Sequence, residues 1–136
     1  MISYTISSTN DSALIANTFV DAYAKRNPPY GLIFHSDNGA NFTATAIRTL
    51  FKSYGITQSL SRIATPQDNS HIESFFATLK KEELYRKTYR FPEEFFQSVK
   101  DYINYYNNTR LHSRLNYRTP KEVLDEYDEK HGLCPF

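Results

Sequence analysis

A chain of 136 residues with 40% hydrophobic and 23% charged residues and a formal net charge of +1 has the size and balance of one ordinary globular domain. No apolar run approaches the roughly 20 residues that a membrane-spanning helix needs, and the first ten residues lack the basic and apolar regions of a secretory signal. The single cysteine, Cys134, excludes an internal disulfide, so a reducing cytoplasm is the expected setting.

Met1 to Ser7 alternates weakly, with Ile2, Tyr4 and Ile6 on one side, and predicts a short half-buried strand. Ser8-Thr9-Asn10-Asp11 has the form of a capping box. The helix it opens carries Leu14, Ile15, Phe19, Ala22 and Tyr23 and stops at Pro28-Pro29. Leu32 to Phe34 is too short for a helix and predicts a buried strand whose end carries His35 and Asp37. Ile47, Leu50, Phe51 and Tyr54 mark a helix from about Thr43 to Gly55, and Ile56 to Leu60 a further strand. Strand alternating with helix implies parallel pairing and an α/β domain. After a polar loop at Thr65–Ser70, a helix to about Tyr85 is expected to bury Ile72, Phe75, Phe76 and Leu79. Pro92 opens the next helix, with a stripe of Phe95, Val99, Tyr102, Ile103 and Tyr106. Thr119-Pro120-Lys121-Glu122 is a capping box that opens the last, through Tyr127. No repeat or linker divides the chain, which reads as one domain over residues 1–136, with a basic segment and C-terminal helix and tail from residue 110.

Two acids stand out. Asp-Asn-Gly is a strong turn sequence, since Asn and Gly tolerate positive φ, and most such aspartates only shape the turn. Asp37, however, ends a predicted parallel strand, where open α/β sheets place their ligands. Glu73 near a helix start is by itself an ordinary solvated residue. Glu73, Ala77 and Lys80 share a helix face, and Lys80 lies about 10.5 Å along the axis from Glu73, too far for a simple ion pair. A carboxylate with an amine two turns away suits a metal site beside a phosphate contact. Paired carboxylates hold divalent metals at phosphoryl-transfer sites, and Mg²⁺ often takes only one or two of them plus substrate phosphate. His35 is either a supporting neighbour of the acid or, somewhat favoured, a neutral core histidine.

Charge is unevenly spread. Thr109 to Lys121 holds Arg110, Arg114, Arg118 and Lys121, with His112 and no acid, whereas Glu122 to His131 holds five acids and Lys130. Such blocks are solvated faces or phosphate contacts, which would give affinity without sequence specificity. Tyr117 either stacks on a base or fills the core. Lys80, Lys81, Arg86, Lys87 and Arg90 alternate with Glu82 and Glu83, so helical ion pairs engage about half of them. His131 and Cys134 have a metal-ligand spacing but no second pair, and read as a loose tail.

Three stretches in order, GLIFHSDNGANF, SRIATPQDNSHIESFFATLKKE and YINYYNNTRLHSRLNYRTPKEVL, closely resemble bacterial insertion-sequence transposases with a retroviral-integrase-type core. That resemblance covers nearly the whole chain. It implies an RNase H-like fold and metal-dependent DNA cleavage and strand transfer with Mg²⁺ or Mn²⁺. It makes Asp37 the second acid of the family's triad and Glu73 the third, with thirty-five residues between them. Lys80, Arg110 and His112 match positions of the family's motifs; together with Lys81, Arg114 and Arg118 from the charge pattern they are the expected DNA contacts, and His35 and Asn38 the expected supporting neighbours of the acid. The resemblance also implies a departure: the family's first Asp lies on its first strand, upstream of everything here, and Met1 to Ser7 corresponds to the third strand. A truncated core without its first two strands is expected to bind metal weakly, to be inactive by itself and to form a homo-oligomer through its open sheet edge. The alternative is a non-catalytic remnant that binds DNA or partner subunits.

Overall fold

A computed structural model describes residues 1–62 and 65–132; the expected tail with Cys134 and part of the loop before Thr65 lie outside the described residues. Two compact units divide the chain, Ile2–Phe75 and, with Met1, the residues from Phe76 onward.

In the first unit, helix α1 spans Ser12–Arg26. Its cap is Asp11, whose carboxylate accepts from the Leu14 amide at 2.9 Å, so the acid caps the helix in place of the expected box from Ser8. Asn27 closes α1 in the left-handed conformation, φ 40°, just before the two prolines. Strands β1 (Ile33–Ser36) and β2 (Thr57–Leu60) pair in parallel, with Ile33 opposite Thr57 and Ser36 opposite Leu60. The crossover between them contains the short helix α2 (Ala40–Thr43) and helix α3 (Thr45–Ser53). Gly55, at φ +66°, ends that crossover in a conformation that suits glycine.

An aromatic core joins α1, α3 and the sheet. Phe19, Ile47 and Phe51 are buried, with Ile15, Tyr23, Phe34, Leu50, Tyr54 and Ile56 packed around them. Phe34 meets Phe51 at 4.6 Å between ring centres and Phe19 meets Phe51 at 4.9 Å. Among the described residues only this face of the sheet is covered: Phe34 points inward while Ile33 is 64% exposed, so β1 is half-buried where full burial is predicted.

The predicted strand at Met1–Ser7 does not form. A strand exists only through a ladder, and β1–β2 is the sole sheet among the described residues. The segment instead runs antiparallel to α1, with Ser3 bonded to Asp21 and Thr5 accepting from Thr18 at 2.7 Å.

Helix α4 (Ser70–Glu82) follows a 3₁₀ turn at Pro66–Asn69 and crosses the boundary between the units. Phe75 and Leu79 are buried, but Ile72 and Phe76 are 46% and 50% exposed: of the two apolar i, i+4 rows only one is covered. The helix stops at Glu82, earlier than expected, and tightens into a 3₁₀ turn at Leu84–Arg86. The second unit continues with α5 (Pro92–Asn108), which buries Ser98, Val99, Tyr102 and Ile103. Helix α6 (Pro120–His131) opens on the predicted capping box of Thr119 and Glu122 and runs past Tyr127 to Gly132.

Candidate metal and nucleic-acid site

Asp37 follows the last residue of β1 and is exposed. One carboxylate oxygen accepts the Gly39 amide at 2.9 Å, forming a tight turn. Positive φ plays no part, as Gly39 sits at φ −65°. Glycine leaves room for the carboxylate, since a Cβ there would lie 2.8 Å from that same oxygen and displace it. A carboxylate has about four lone-pair sites, so Asp37 retains capacity for a cation. His35, on the same strand, is exposed rather than in the core, and its Nδ1 lies 2.9 Å from the hydroxyl of its cross-strand partner Ser59. Asn38 is exposed beside it.

Glu73 is exposed in the first turn of α4. The approach to that turn is tied to the strand end bearing Asp37. Asn69 donates from Nδ2 to the Ser61 hydroxyl at 2.6 Å, and Ser61 donates from both its amide and its hydroxyl to the Ser36 carbonyl at 2.9 Å. Arg62 makes a forked pair with Asp68, its Nη2 and Nε at 3.1 and 3.2 Å from the two oxygens, and these bonds hold the Asp68 carboxyl below the usual range. Sequence reasoning missed Ser36, Ser61 and Asn69; the available signal was a hydroxyl one residue past a strand and an Asn one residue before a helix.

Hard-oxygen donors at Asp37 and Glu73 suit Mg²⁺ or Mn²⁺, which accept few protein carboxylates. Among the described residues no three His, Cys, Asp or Glu side chains gather to hold a metal. Each of the two exposed carboxylates has the donor chemistry to ligate such a cation.

Lys80 and Lys81 are exposed on α4, Lys80 two turns beyond Glu73. Arg114 is exposed on the turn Ser113–Leu115, and Tyr117 is 72% exposed at φ +57°, which rules out the core role. The expectation that this segment lacks acidic partners is overturned, because α4 and α6 supply them. Arg110 grips Glu82 with Nη2–Oε1 at 2.7 Å and Nε–Oε2 at 3.0 Å. Arg118 pairs with Glu126, and Lys121 with Asp125 at 2.9 Å. Arg110 also lies 5.7 Å from the Tyr106 ring centre and donates to His112 Nδ1 at 3.3 Å. Burial, then the Arg110 charge, lowers the His112 pKa. Tyr102 donates to Glu82 at 2.8 Å, and burial with that carboxylate raises its phenol pKa. The adjoining groove, about 770 Å³, mixes Arg86 and Lys87 with Glu83 and Asp101 and so makes a poor track for a phosphate backbone.

Two integrase core domain models match the chain, one over residues 1–66 and one over residues 54–120. The chain belongs to the integrase-core family, in its insertion-sequence transposase branch. It is 34% identical over 123 residues to the transposase for insertion sequence element IS904 of Lactococcus lactis, covering 90% of this chain and 49% of that protein. It is also 34% identical over 126 residues to the putative transposase InsK for IS150 of Escherichia coli, covering 93% and 44%. The chain thus spans about half the length of these relatives. Its fold is that of the catalytic core domain of BIV integrase: TM-score 0.68 at 22% identity, over 93% of this chain and 80% of that one. An integrase-type fold is also shared with a chain of the simian T-cell lymphotropic virus intasome bound to PP2A regulatory subunit B56 gamma, with TM-score 0.65 at 16% identity over 79% and 38% of the chains. Among the described residues no helix is long and apolar enough to cross a membrane.

Proposed function

We propose that this chain carries the Asp37 and Glu73 ligands of a metal-dependent DNA cleavage and strand-transfer centre. The observation that carries this is the tie between the two acid-bearing segments: Asp37 leaves the end of β1, and the residue before α4 is hydrogen-bonded through Ser61 to Ser36 on that same strand end. The reaction class is in-line displacement at a DNA phosphodiester by water or a 3′-hydroxyl, with the 3′-oxygen or its counterpart leaving. A bound Mg²⁺ or Mn²⁺ supplies activation of the attacking oxygen and charge stabilisation of the leaving one. Asp37 and Glu73 contribute the ligands and fix where the scissile phosphate sits. Lys80 contacts the DNA end, Lys81 and Arg114 bind DNA phosphates, and exposed Tyr117 stacks on a base. Arg110, His112 and Arg118 serve DNA indirectly, by holding the surface that presents these groups. His35 and Asn38 support the Asp37 turn.

Two carboxylates bind metal weakly, so turnover requires a third from outside these residues, and the chain alone is inactive. The open sides of the two-stranded sheet and the exposed Ile33 favour association with a second copy. The test supplies the part of the L. lactis relative that this chain does not match, together with this chain, terminal-repeat DNA and Mn²⁺. Strand transfer that disappears in D37N and in E73Q supports the reading, and activity unchanged in either sinks it. Salt-sensitive DNA binding with no turnover under any of these conditions favours the non-catalytic alternative.

A further inference from the structure

Ser36 and Ser61 are buried, 7% and 9% exposed, at the ends of the two parallel strands. The Ser61 amide bond to the Ser36 carbonyl merely continues the ladder one residue past β2. The other two bonds go beyond that. The Ser61 hydroxyl has one proton, and it is spent on the Ser36 carbonyl, so at Asn69 the same oxygen must accept. Residue 69 must therefore donate, which an amide does and a carboxylate does not. The Ser36 carbonyl in turn accepts twice, filling both lone pairs. Ser36 precedes Asp37, to whose carbonyl its hydroxyl donates at 3.0 Å, and Asn69 precedes α4, one turn before Glu73. A second closure, Arg62 to Asp68, holds the same segment from the outside.

We propose that Ser61 and Asn69 are positioning residues: they lock the Glu73-bearing first turn of α4 to the strand end that carries Asp37. The proposal rests on reading that acid pair as a metal site, although the lock itself is a property of the chain without metal. Water competes poorly for the buried Ser61–Ser36 bonds and more readily for the half-buried Asn69 bond, and the directionality specifies Ser61 and Asn69 rather than any polar pair.

The test uses the full chain as wild type, S61A, S61T, N69D, D37N and E73Q. Amide hydrogen exchange at Glu73 and Ser74 is compared with that at Ile47 and Phe51 in α3, and Mn²⁺ binding is followed by electron paramagnetic resonance. The expected result is exchange at Glu73 and Ser74 at least tenfold faster in S61A and N69D with α3 unchanged. Mn²⁺ affinity should fall at least fivefold in S61A, and both properties should return in S61T. Wild-type exchange in both S61A and N69D overturns the lock, as does acceleration spread equally over α3. Faster exchange with unchanged Mn²⁺ affinity in S61A overturns its bearing on the metal site. Mn²⁺ binding that is indifferent to D37N and E73Q overturns the functional reading instead, and the exchange data still decide the lock.

Discussion

Replacing Arg110 with alanine separates a structural cation from a DNA-binding one. The guanidinium forms a forked, charge-assisted pair with Glu82, and the two side chains are 26% and 30% exposed. A fully exposed pair contributes about 0–1 kcal/mol and breaking a fully buried one costs about 3–5 kcal/mol. At this exposure the loss should be about 2 kcal/mol. The contact with Tyr106 adds about 0.5 kcal/mol. With a urea dependence of about 1–3 kcal/mol per molar, the unfolding midpoint should fall by about 1 M or more. A double-mutant cycle with Glu82→Gln should return a coupling of about 1–2 kcal/mol. Acid dependence gives a second readout. Hydrogen bonds from Arg110 depress the Glu82 pKa, so the stability it contributes is complete above about pH 4.5 and is lost as pH falls through the lower folded value. R110A should flatten that part of the stability–pH curve. A stability change under about 0.5 kcal/mol, together with weaker DNA binding and a shallower salt dependence, would refute this reasoning and return Arg110 to the phosphate contacts.

Three further outcomes are expected. Phe51→Ala, at a fully buried position in the aromatic core, should cost about 3–5 kcal/mol in urea denaturation. Gly39→Ala puts a methyl 2.8 Å from the Asp37 carboxylate, which can swing away. It should thus change stability by less than about 1 kcal/mol while lowering Mn²⁺ affinity, measured by calorimetry. Lys130 and Arg118 hold the Glu126 carboxyl at about 2, so its side-chain carbon should titrate by NMR more than a pH unit below an ordinary glutamate, moving upward in R118A.

What could be read from the sequence followed from how local the cause was. Helix α5 and its buried Val99, Tyr102 and Ile103 follow from spacing within one helix, and the Thr119–Glu122 box needs only four consecutive residues. The parallel pairing of β1 and β2 follows from a helix lying between two strands. Residues 1–7 misled because alternation states a preference that only a distant partner can realise. Arg110 has no acid near it in sequence because Glu82 lies 28 residues away, whereas the Lys121–Asp125 pair, four residues apart on one helix, was within reach of the spacing. Motif and spacing single out Asp37 and Glu73, and the structure adds the hydrogen bonds that tie the segments bearing them. The reason for Gly39, by contrast, was not positive φ but the room its neighbour's carboxylate needs, which only coordinates reveal.

The central claim, that one divalent cation is held by both acids, is tested most directly by titrating Mn²⁺ into the ¹⁵N-labelled chain. The account predicts paramagnetic broadening concentrated at the amides of residues 37–39 and 72–74 together, abolished at both by D37N and equally by E73Q. Broadening at only one of these segments, or centred on the acids of α6, would contradict it.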